Sequence, residues 1–318
     1  VPALTLFRLY DLPAEPPGGW TLEPASPLAL RALWDEWGAD GEPPWPAPAG
    51  ELLLATENGK PVGCAGVNHS ALGEVGPLLR APVLAGRADL AASLLHGALW
   101  RLRWLGHAYG FAPADVAAHA DEVLRAALWE VPDNAGSPPA ERDVPEQEWG
   151  DVLVDLRDWP PPRPVAELEL DGDPVLVRRP EASEQLLVVD WIRDAFGRGW
   201  AAEFTRAFAH DPVSAVIVAR PRGFAEDPRR CLLGFIAYNT VRAGMLSSIA
   251  LSAEIRGRDN GIAARLLSSC LSEVRAHGFQ HAVLGGVSRR LVALRAVDAA
   301  WTVPGSCPGV FGKGIRDR

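Results

Sequence analysis

The stretch Ile249-Ala250-Leu251-Ser252-Ala253-Glu254-Ile255-Arg256-Gly257-Arg258-Asp259-Asn260-Gly261-Ile262-Ala263-Ala264-Arg265-Leu266-Leu267 decides the fold. It opens as a short apolar strand, crosses a basic glycine-bearing turn and enters an amphipathic helix. Ile262, Leu266, Cys270 and Val274 recur at four-residue spacing along one helix face, and Gly278 stops the helix. A helix start presents N–H groups without intrahelical partners and the positive end of its dipole. Beside two arginines, such a start suits a diphosphate. A side chain at Gly261 would obstruct the close approach of phosphate oxygens.

Working outward, the chain is written twice. Gly86-Arg87-Ala88-Asp89-Leu90-Ala91-Ala92-Ser93-Leu94-Leu95 echoes the segment that ends Gly261-Ile262-Ala263-Ala264-Arg265-Leu266-Leu267, at an offset of 172 (263 − 91). The same offset links Gly106 with Gly278, and Trp129 with Trp301. Upstream, Pro61-Val62-Gly63-Cys64-Ala65-Gly66 answers Leu232-Leu233-Gly234-Phe235-Ile236-Ala237 at 171 (234 − 63). A nearly constant offset over four landmarks indicates tandem duplication. The proline-dense Asp158-Trp159-Pro160-Pro161-Pro162-Arg163-Pro164 is stiff and poor in donors, so the boundary is expected there, giving domains 1–160 and 161–318. Pro132 to Pro145 reads as a long surface loop.

In the second half, Leu168 to Val177 reads as a strand, and Ala182 to Ala209 as two helices broken at Gly197-Arg198-Gly199. Val213 to Ala219, Leu232 to Asn239 and Met245 to Leu251 read as strands. The helix Gly261 to His277, a strand His281 to Gly286, a helix Arg290 to Ala300 and a hairpin Trp301 to Ile315 follow.

Composition narrows the function. The 318 residues carry 31 Lys+Arg against 40 Asp+Glu, a formal charge of -9, which argues against a nucleic-acid partner. No uncharged apolar run approaches about 18 residues, so no membrane span is expected. The opening Val1-Pro2-Ala3-Leu4 has no basic n-region before an apolar one, so no signal peptide is expected and the chain reads as cytoplasmic. The four cysteines, Cys64, Cys231, Cys270 and Cys307, lie far apart, which argues for reduced thiols and against zinc or disulfide frameworks. The 12 tryptophans read as core and contact filler. Abundant Ala, Leu, Arg, Gly and Pro with a single Met suggest a GC-rich bacterial source.

The spacing Arg258-x-x-Gly261-x-Ala263 resembles the coenzyme-A signature of the GNAT N-acetyltransferases, Arg or Gln, two residues, Gly, one residue, then Gly or Ala. The resemblance covers nearly all of the second half; in the first it rests on the internal match. It implies an α/β (α+β) chain with two tandem acyl-CoA N-acyltransferase-like domains, each a mixed, mostly antiparallel sheet flanked by helices. In such folds two parallel strands splay, here Met245–Leu251 and His281–Gly286, and the pantetheine arm enters the gap. Ile249, Ala250 and Leu251 would line the arm, and a nearby backbone N–H would polarise the thioester carbonyl. Arg256, Gly257, Arg258, Asn260, Gly261, Ile262 and Ala263 would hold the diphosphate of acetyl-CoA, the cosubstrate. Asp259-Asn260 lengthens the approach to Gly261, so Arg256 and Arg258 are both candidates for the signature arginine.

The implied reaction is transfer of acetyl to a primary amine of a small molecule or peptide by direct attack, with no metal. Relatives place a tyrosine within the last helix, and none lies between Ser288 and Trp301. Ser288 or Arg289 replaces the asparagine those relatives carry at the helix start, which makes Ser288 a candidate hydroxyl. Tyr238, on a strand that could face the cleft, is a candidate acid; the plainer reading is a half-buried aromatic on a sheet. Glu203 is a candidate base for the amine proton, or a solvated helix residue. His277 and His281 read as structural. His210-Asp211 resembles part of a triad, but no G-x-S-x-G elbow supplies a nucleophile. Asp89 stands where Gly261 stands and puts a carboxylate in the way of a diphosphate, so the first copy is expected to be degenerate. The competing expectation is a pseudo-acetyltransferase that serves as a coenzyme-binding sensor or assembly module. The chain is expected to act as a monomer or homodimer.

Overall fold

A computed structural model describes residues 4–13, 21–38, 50–69, 73–80, 84, 86–130, 149–221, 228–257, 261–288, 300–304 and 306. Two compact units divide the chain, Val1–Asp133 and Asn134–Arg318. The first contains β1 (Leu4–Arg8), β2 (Thr21–Ala25), α1 (Pro27–Glu36), β3 (Gly50–Glu57), β4 (Lys60–Asn68), β5 (Glu74–Arg80), α2 (Ala88–Trp104), β6 (Tyr109–Pro113), α3 (Ala114–Ala117), α4 (Glu122–Ala126) and β7 (Leu128–Glu130). The second contains β8 (Trp149–Asp155), β9 (Val165–Leu170), β10 (Asp173–Arg178), α5 (Gln185–Phe196), α6 (Arg198–Ala207), β11 (Ala215–Ala219), β12 (Leu232–Tyr238), β13 (Met245–Leu251), α7 (Ile262–Ala276), β14 (His281–Ser288) and β15 (Ala300–Thr302).

Each unit is built on one mixed sheet. The strand orders are β2-β3-β4-β5-β6-β1-β7 and β15-β8-β14-β13-β12-β11-β10-β9. Among the described strands all pairings are antiparallel except β5 with β6 and β13 with β14.

The duplication read from the sequence is reproduced residue by residue in the hydrogen-bonding register. Leu6 sits between Phe111 and Trp129, and Leu153 sits between Val283 and Trp301. The outer partners are 172 apart in both cases (283 − 111 and 301 − 129). Gly63 faces Arg80 as Gly234 faces Leu251, 171 apart (234 − 63), and both strand pairs shift register at the same place, after Ala65 and after Ile236. The repeated glycine has a steric cause. A Cβ on Gly63 would lie 2.8 Å from the Leu79 carbonyl oxygen, and one on Gly234 would lie 3.0 Å from the equivalent Ala250 carbonyl oxygen.

The structure differs from the proline-based boundary at residue 160. β8 precedes the prolines yet pairs between β14 and β15, so its place in the chain does not set its place in the sheet. The seven residues Trp149–Asp155 bury Val152, Leu153 and Val154, and burial against the second core fixes their allegiance. The expected single strand Leu168 to Val177 is a hairpin, because Asp171 and Gly172 take φ of 53° and 86°. Two positive φ values in a two-residue loop turn the chain back on itself. The strand expected to end at Gly286 runs to Ser288. The helix expected over Arg290 to Ala300 lies outside the described residues except for Ala300, which opens β15, and the expected closing hairpin lies mostly outside them. The Pro132–Pro145 loop lies outside them too.

The sheet of the second unit carries helices on both faces. α7 turns Ile262, Leu266, Leu267, Cys270, Leu271 and Val274 onto Val152, Val216, Ile236, Tyr238 and Leu284. On the opposite face, α5 and α6 pack Trp191, Ile192, Phe204 and Ala207 over Ile217, Phe235 and Ala250. Each fully buried aliphatic side chain contributes about 1.5–3 kcal/mol. No helix among the described residues is long and apolar enough to cross a membrane.

Candidate functional site

The two parallel strands of the second sheet form a fork. β13 and β14 pair only at Met245 with Val283 and Leu246 with Leu284, and beyond Leu246 the described strands part. The Ser252 N–H donates to the Leu233 carbonyl at 2.7 Å. Backbone groups alternate along a strand, so those of Ala250 turn to β12 while those of Ile249 and Leu251 turn to the gap. Two residues of an extended edge thus face the opening.

The mouth of this fork is basic. Arg256 Nη2 donates to the Leu251 carbonyl at 3.2 Å, and its guanidinium carbon lies 5.9 Å from the Phe196 ring centroid. The next turn holds two glycines in the left-handed region, Gly257 at φ 78° and Gly261 at φ 70°. Gly261 is the N-cap of α7 and supplies no side-chain cap, so the first amides of that helix receive none from it. A Cβ on either glycine would meet nothing within 4 Å. Crowding by the protein is therefore not what selects glycine at 261; the backbone angle is. Ile262 is buried in the core and Ala263 half-buried against it. Arg258, Asp259 and Asn260 lie outside the described residues.

One face of the fork is aromatic. Phe235 faces Ala250 across the strands and meets Trp191, Phe196, Trp200 and Phe204 edge-on, with centroids 5.3–5.9 Å apart. Phe196 and Trp200 stack at 5.7 Å, and Trp200 is 37% exposed. Glu203 is on α6, half-buried, one turn beyond Trp200 on a helix that touches β13. Ser288 ends β14 opposite Trp149.

Tyr238 is corrected by the structure. It does not face the open fork: it is fully buried on the α7 side and pairs with Leu246, at the closed end. Its hydroxyl lies 3.4 Å from His277 Nδ1, and the two rings meet edge-on at 5.3 Å. Burial raises its pKa far above the ordinary phenol value. His277 Nδ1 in turn lies 2.8 Å from the Glu273 carbonyl. His210 pairs with Ser214 at 2.6 Å, and burial pulls its pKa down. His281 is buried, which lowers its pKa to about 4. No group of three His, Cys, Asp or Glu among the described residues could hold a metal ion.

The equivalent fork in the first unit has a carboxylate at its mouth. β5 and β6 pair only at Glu74 with Phe111, so the opening is there. At its mouth, however, Arg87 Nε donates to both Asp89 oxygens, at 2.9 and 3.1 Å, and its guanidinium lies 3.7 Å from Glu57. The hydrogen bond from Arg87 holds the Asp89 carboxyl at about 2. Arg87 already has its anion, and a second arginine at this turn, Arg80, donates from Nη1 to the Arg87 carbonyl at 3.2 Å.

Sequence reasoning missed β8 and with it Asp151, a wholly buried carboxylate beside β14. The signal was present: an acidic residue inside Trp149-Gly150-Asp151-Val152-Leu153-Val154, an otherwise strand-like run ahead of the prolines.

No protein-family model matches the chain, and no curated protein does. Among solved structures it is similar to a GCN5-related glucosamine N-acetyltransferase region in a fungal multi-domain GH3 beta-N-acetylglucosaminidase, with 13% identity and a TM-score of 0.37 over 90% of this chain. The chain spans 37% of that protein's length. A GCN5-related N-acetyltransferase from Sphaerobacter thermophilus shares 15% identity, with a TM-score of 0.34, 91% of this chain and 95% of its own covered. A tandem GNAT protein from the clavulanic acid biosynthesis pathway shares 14%, with a TM-score of 0.31, 89% and 95% covered.

Proposed function

We propose that the second unit binds acetyl-CoA in the fork between β13 and β14 and transfers its acetyl group to a primary amine. The observation that carries this reading is the combination at one place of strand backbone at Ile249 and Leu251 turned to the gap, a helix start whose N-cap is Gly261, and the Arg256 guanidinium, which holds the Leu251 carbonyl. An extended arm bearing amides fits the first, and a diphosphate fits the other two. Acetyl-CoA supplies an activated thioester carbonyl for a nitrogen nucleophile.

The chain's own residues then divide the work. Amides of Ile262 and Ala263 with Arg256, and Arg258 and Asn260 beside them, hold the diphosphate. Backbone groups of Ile249 and Leu251 align the arm, and an N–H on the β13 edge steadies the negative charge that develops on the carbonyl oxygen. The amine enters from the α5–α6 face, past Trp200, and Glu203 accepts its proton. Ser288, at the tip of the second arm, is the hydroxyl proposed to return a proton to the departing sulfur. The first unit binds no coenzyme, because Asp89 occupies Arg87.

A second reading has one observation in its favour. Tyr238 lies in the core, so no described tyrosine of the second unit serves as acid. A pseudo-acetyltransferase that binds coenzyme as a sensor would show the same fork. Thiol release measured across a panel of amines separates the two: turnover establishes the enzyme, and coenzyme binding without turnover establishes the sensor. At 100 times Kd the coenzyme stabilises the folded chain by about 2.7 kcal/mol, so a thermal scan with no shift rejects both.

A further inference from the structure

We propose that Asp151 is a positioning residue that fixes the bend of the β14 arm where it leaves β13. The inference rests on the reading that the fork receives an extended ligand. In the ladder between β8 and β14, Leu284 faces Val152 and the next aligned pair is Val287 with Gly150. Gly285 and Gly286 therefore stand opposite the single residue Asp151, which is a β-bulge. Gly286 has φ 57°, and the bulge begins directly after Leu284, the last described residue of β14 paired to β13. The strand is bent where the fork parts.

A bulge frees a backbone N–H that needs another acceptor. The backbone of Asp151 is engaged on its other side: its N–H donates to Ser306 Oγ at 2.9 Å, and its carbonyl accepts from Val303 N–H at 2.9 Å. The carboxylate takes over, with Oδ1 accepting from Gly286 N–H at 2.8 Å. A Cβ on Gly285 would fall 2.7 Å from Met245 Cε, the flexible end of that side chain, and 4.0 Å from Asp151 Oδ1, so a larger residue where the arm turns would make Met245 move. Asp151 is wholly buried, a location a carboxylate keeps only when such partners hold it.

The first unit supplies an internal control. The position of Asp151 corresponds to Leu4, since Leu153 and Leu6 share one register. Leu4 faces Pro113 at the end of a ladder whose described pairs show no bulge. The first unit has neither the carboxylate nor the diglycine and still parts after one pair, Glu74 with Phe111, so Asp151 sets the course of the second unit's arm and is not what every fork in this fold requires.

The test compares the full-length chain with Asp151→Asn and Asp151→Leu. The asparagine carbonyl still accepts from Gly286 N–H; leucine copies the first unit. Hydrogen exchange on the coenzyme-free proteins is expected to show Gly286 protected in the wild type and Asp151→Asn and exposed in Asp151→Leu. Leaving that donor unsatisfied should raise KM for acetyl-CoA, and Kd for coenzyme A, by about ten-fold in the leucine variant, with kcat nearly unchanged and the asparagine variant near wild type. If the leucine variant does not fold, Asp151→Ser, too short to reach, carries the same expectation. Unchanged Gly286 exchange and unchanged KM in the leucine or serine variant overturn the proposal. So does a fall in kcat shared by asparagine and leucine at constant KM, which would make the charge itself the working part. If the wild type binds no coenzyme A, the reading of the fork's ligand fails, while Gly286 exchange still decides the part Asp151 plays.

Discussion

Replacing Gly261 with aspartate rebuilds in the second unit the carboxylate that stands at the mouth of the first. Two effects add. A residue with a Cβ at φ 70° pays about 1–2 kcal/mol for the left-handed backbone, a cost to the fold that aspartate bears better than most. The new carboxylate also faces the ligand: a charge about 4 Å from a phosphate costs about 1 kcal/mol in bulk water and about 4 at an effective dielectric constant of 20. Asp89 shows how such a group behaves, since it draws the neighbouring Arg87 into a bidentate pair. The exposed turn lies between those limits, so about 2 kcal/mol of binding is lost, roughly a 30-fold rise in Kd for coenzyme A. Isothermal titration of wild type, Gly261→Asp and Gly261→Ala measures it. The alanine variant carries the backbone cost and a Cβ without the charge, so its melting temperature falls and its Kd rises by less than that of the aspartate variant. If the aspartate variant binds as the alanine variant does, the turn is not where the diphosphate sits.

Tyr238→Phe should leave turnover within about two-fold, because a 3.4 Å contact with His277 is a weak bond and no reacting atom reaches it; a hundred-fold loss of kcat would return Tyr238 to the catalytic group. Glu184→Gln should destabilise the second unit by about 2 kcal/mol at neutral pH. Glu184 is buried, which alone would raise its pKa, but the Arg178 hydrogen bonds at 2.7 Å and the Glu181 N–H pull it lower on balance. Its folded pKa is depressed, so its stabilisation is present above the unfolded carboxyl value and is lost as pH falls through the folded one; denaturant midpoints of the two proteins should converge in acid. His281 is held at about 4 by burial against an unfolded value near 6.5. The unfolded chain binds the extra proton between those values, so stability falls as pH drops from 6.5 to 4. His281→Gln should flatten that part of the pH profile, and an unaltered slope would contradict the assignment.

Much of this was legible in the residues. The strand Met245–Leu251, the break between α5 and α6, and the start of α7 follow from apolar periodicity and glycine placement. The duplication is legible because Gly63 and Gly234 both lie against a carbonyl of the neighbouring strand. Other parts were hidden for physical reasons. β8 is short and far in sequence from its partners, and membership of a sheet is settled by which core buries Val152 and Val154, a long-range choice that no local pattern encodes. The β9–β10 hairpin was not hidden: it turns on Asp171-Gly172, an Asp-Gly pair that signals a two-residue turn and that the single-strand reading passed over. The face of Tyr238 was unreadable because β12 is buried on both sides, leaving no polar alternation to mark inside from outside. Asp151 signals its part only when Gly285 and Gly286, 134 and 135 residues later in the chain, are seen opposite it.

The central claim is that one copy of the duplicated fold holds coenzyme and the other cannot. Titrating coenzyme A into the intact chain, with hydrogen exchange read on the same sample, tests it most directly. The account predicts one equivalent per chain, with slowed exchange at Ile249, Leu251 and Ile262 to Ala264 and no change at residues 75–80 or 86–91. Two equivalents, or protection confined to the first unit, would contradict it.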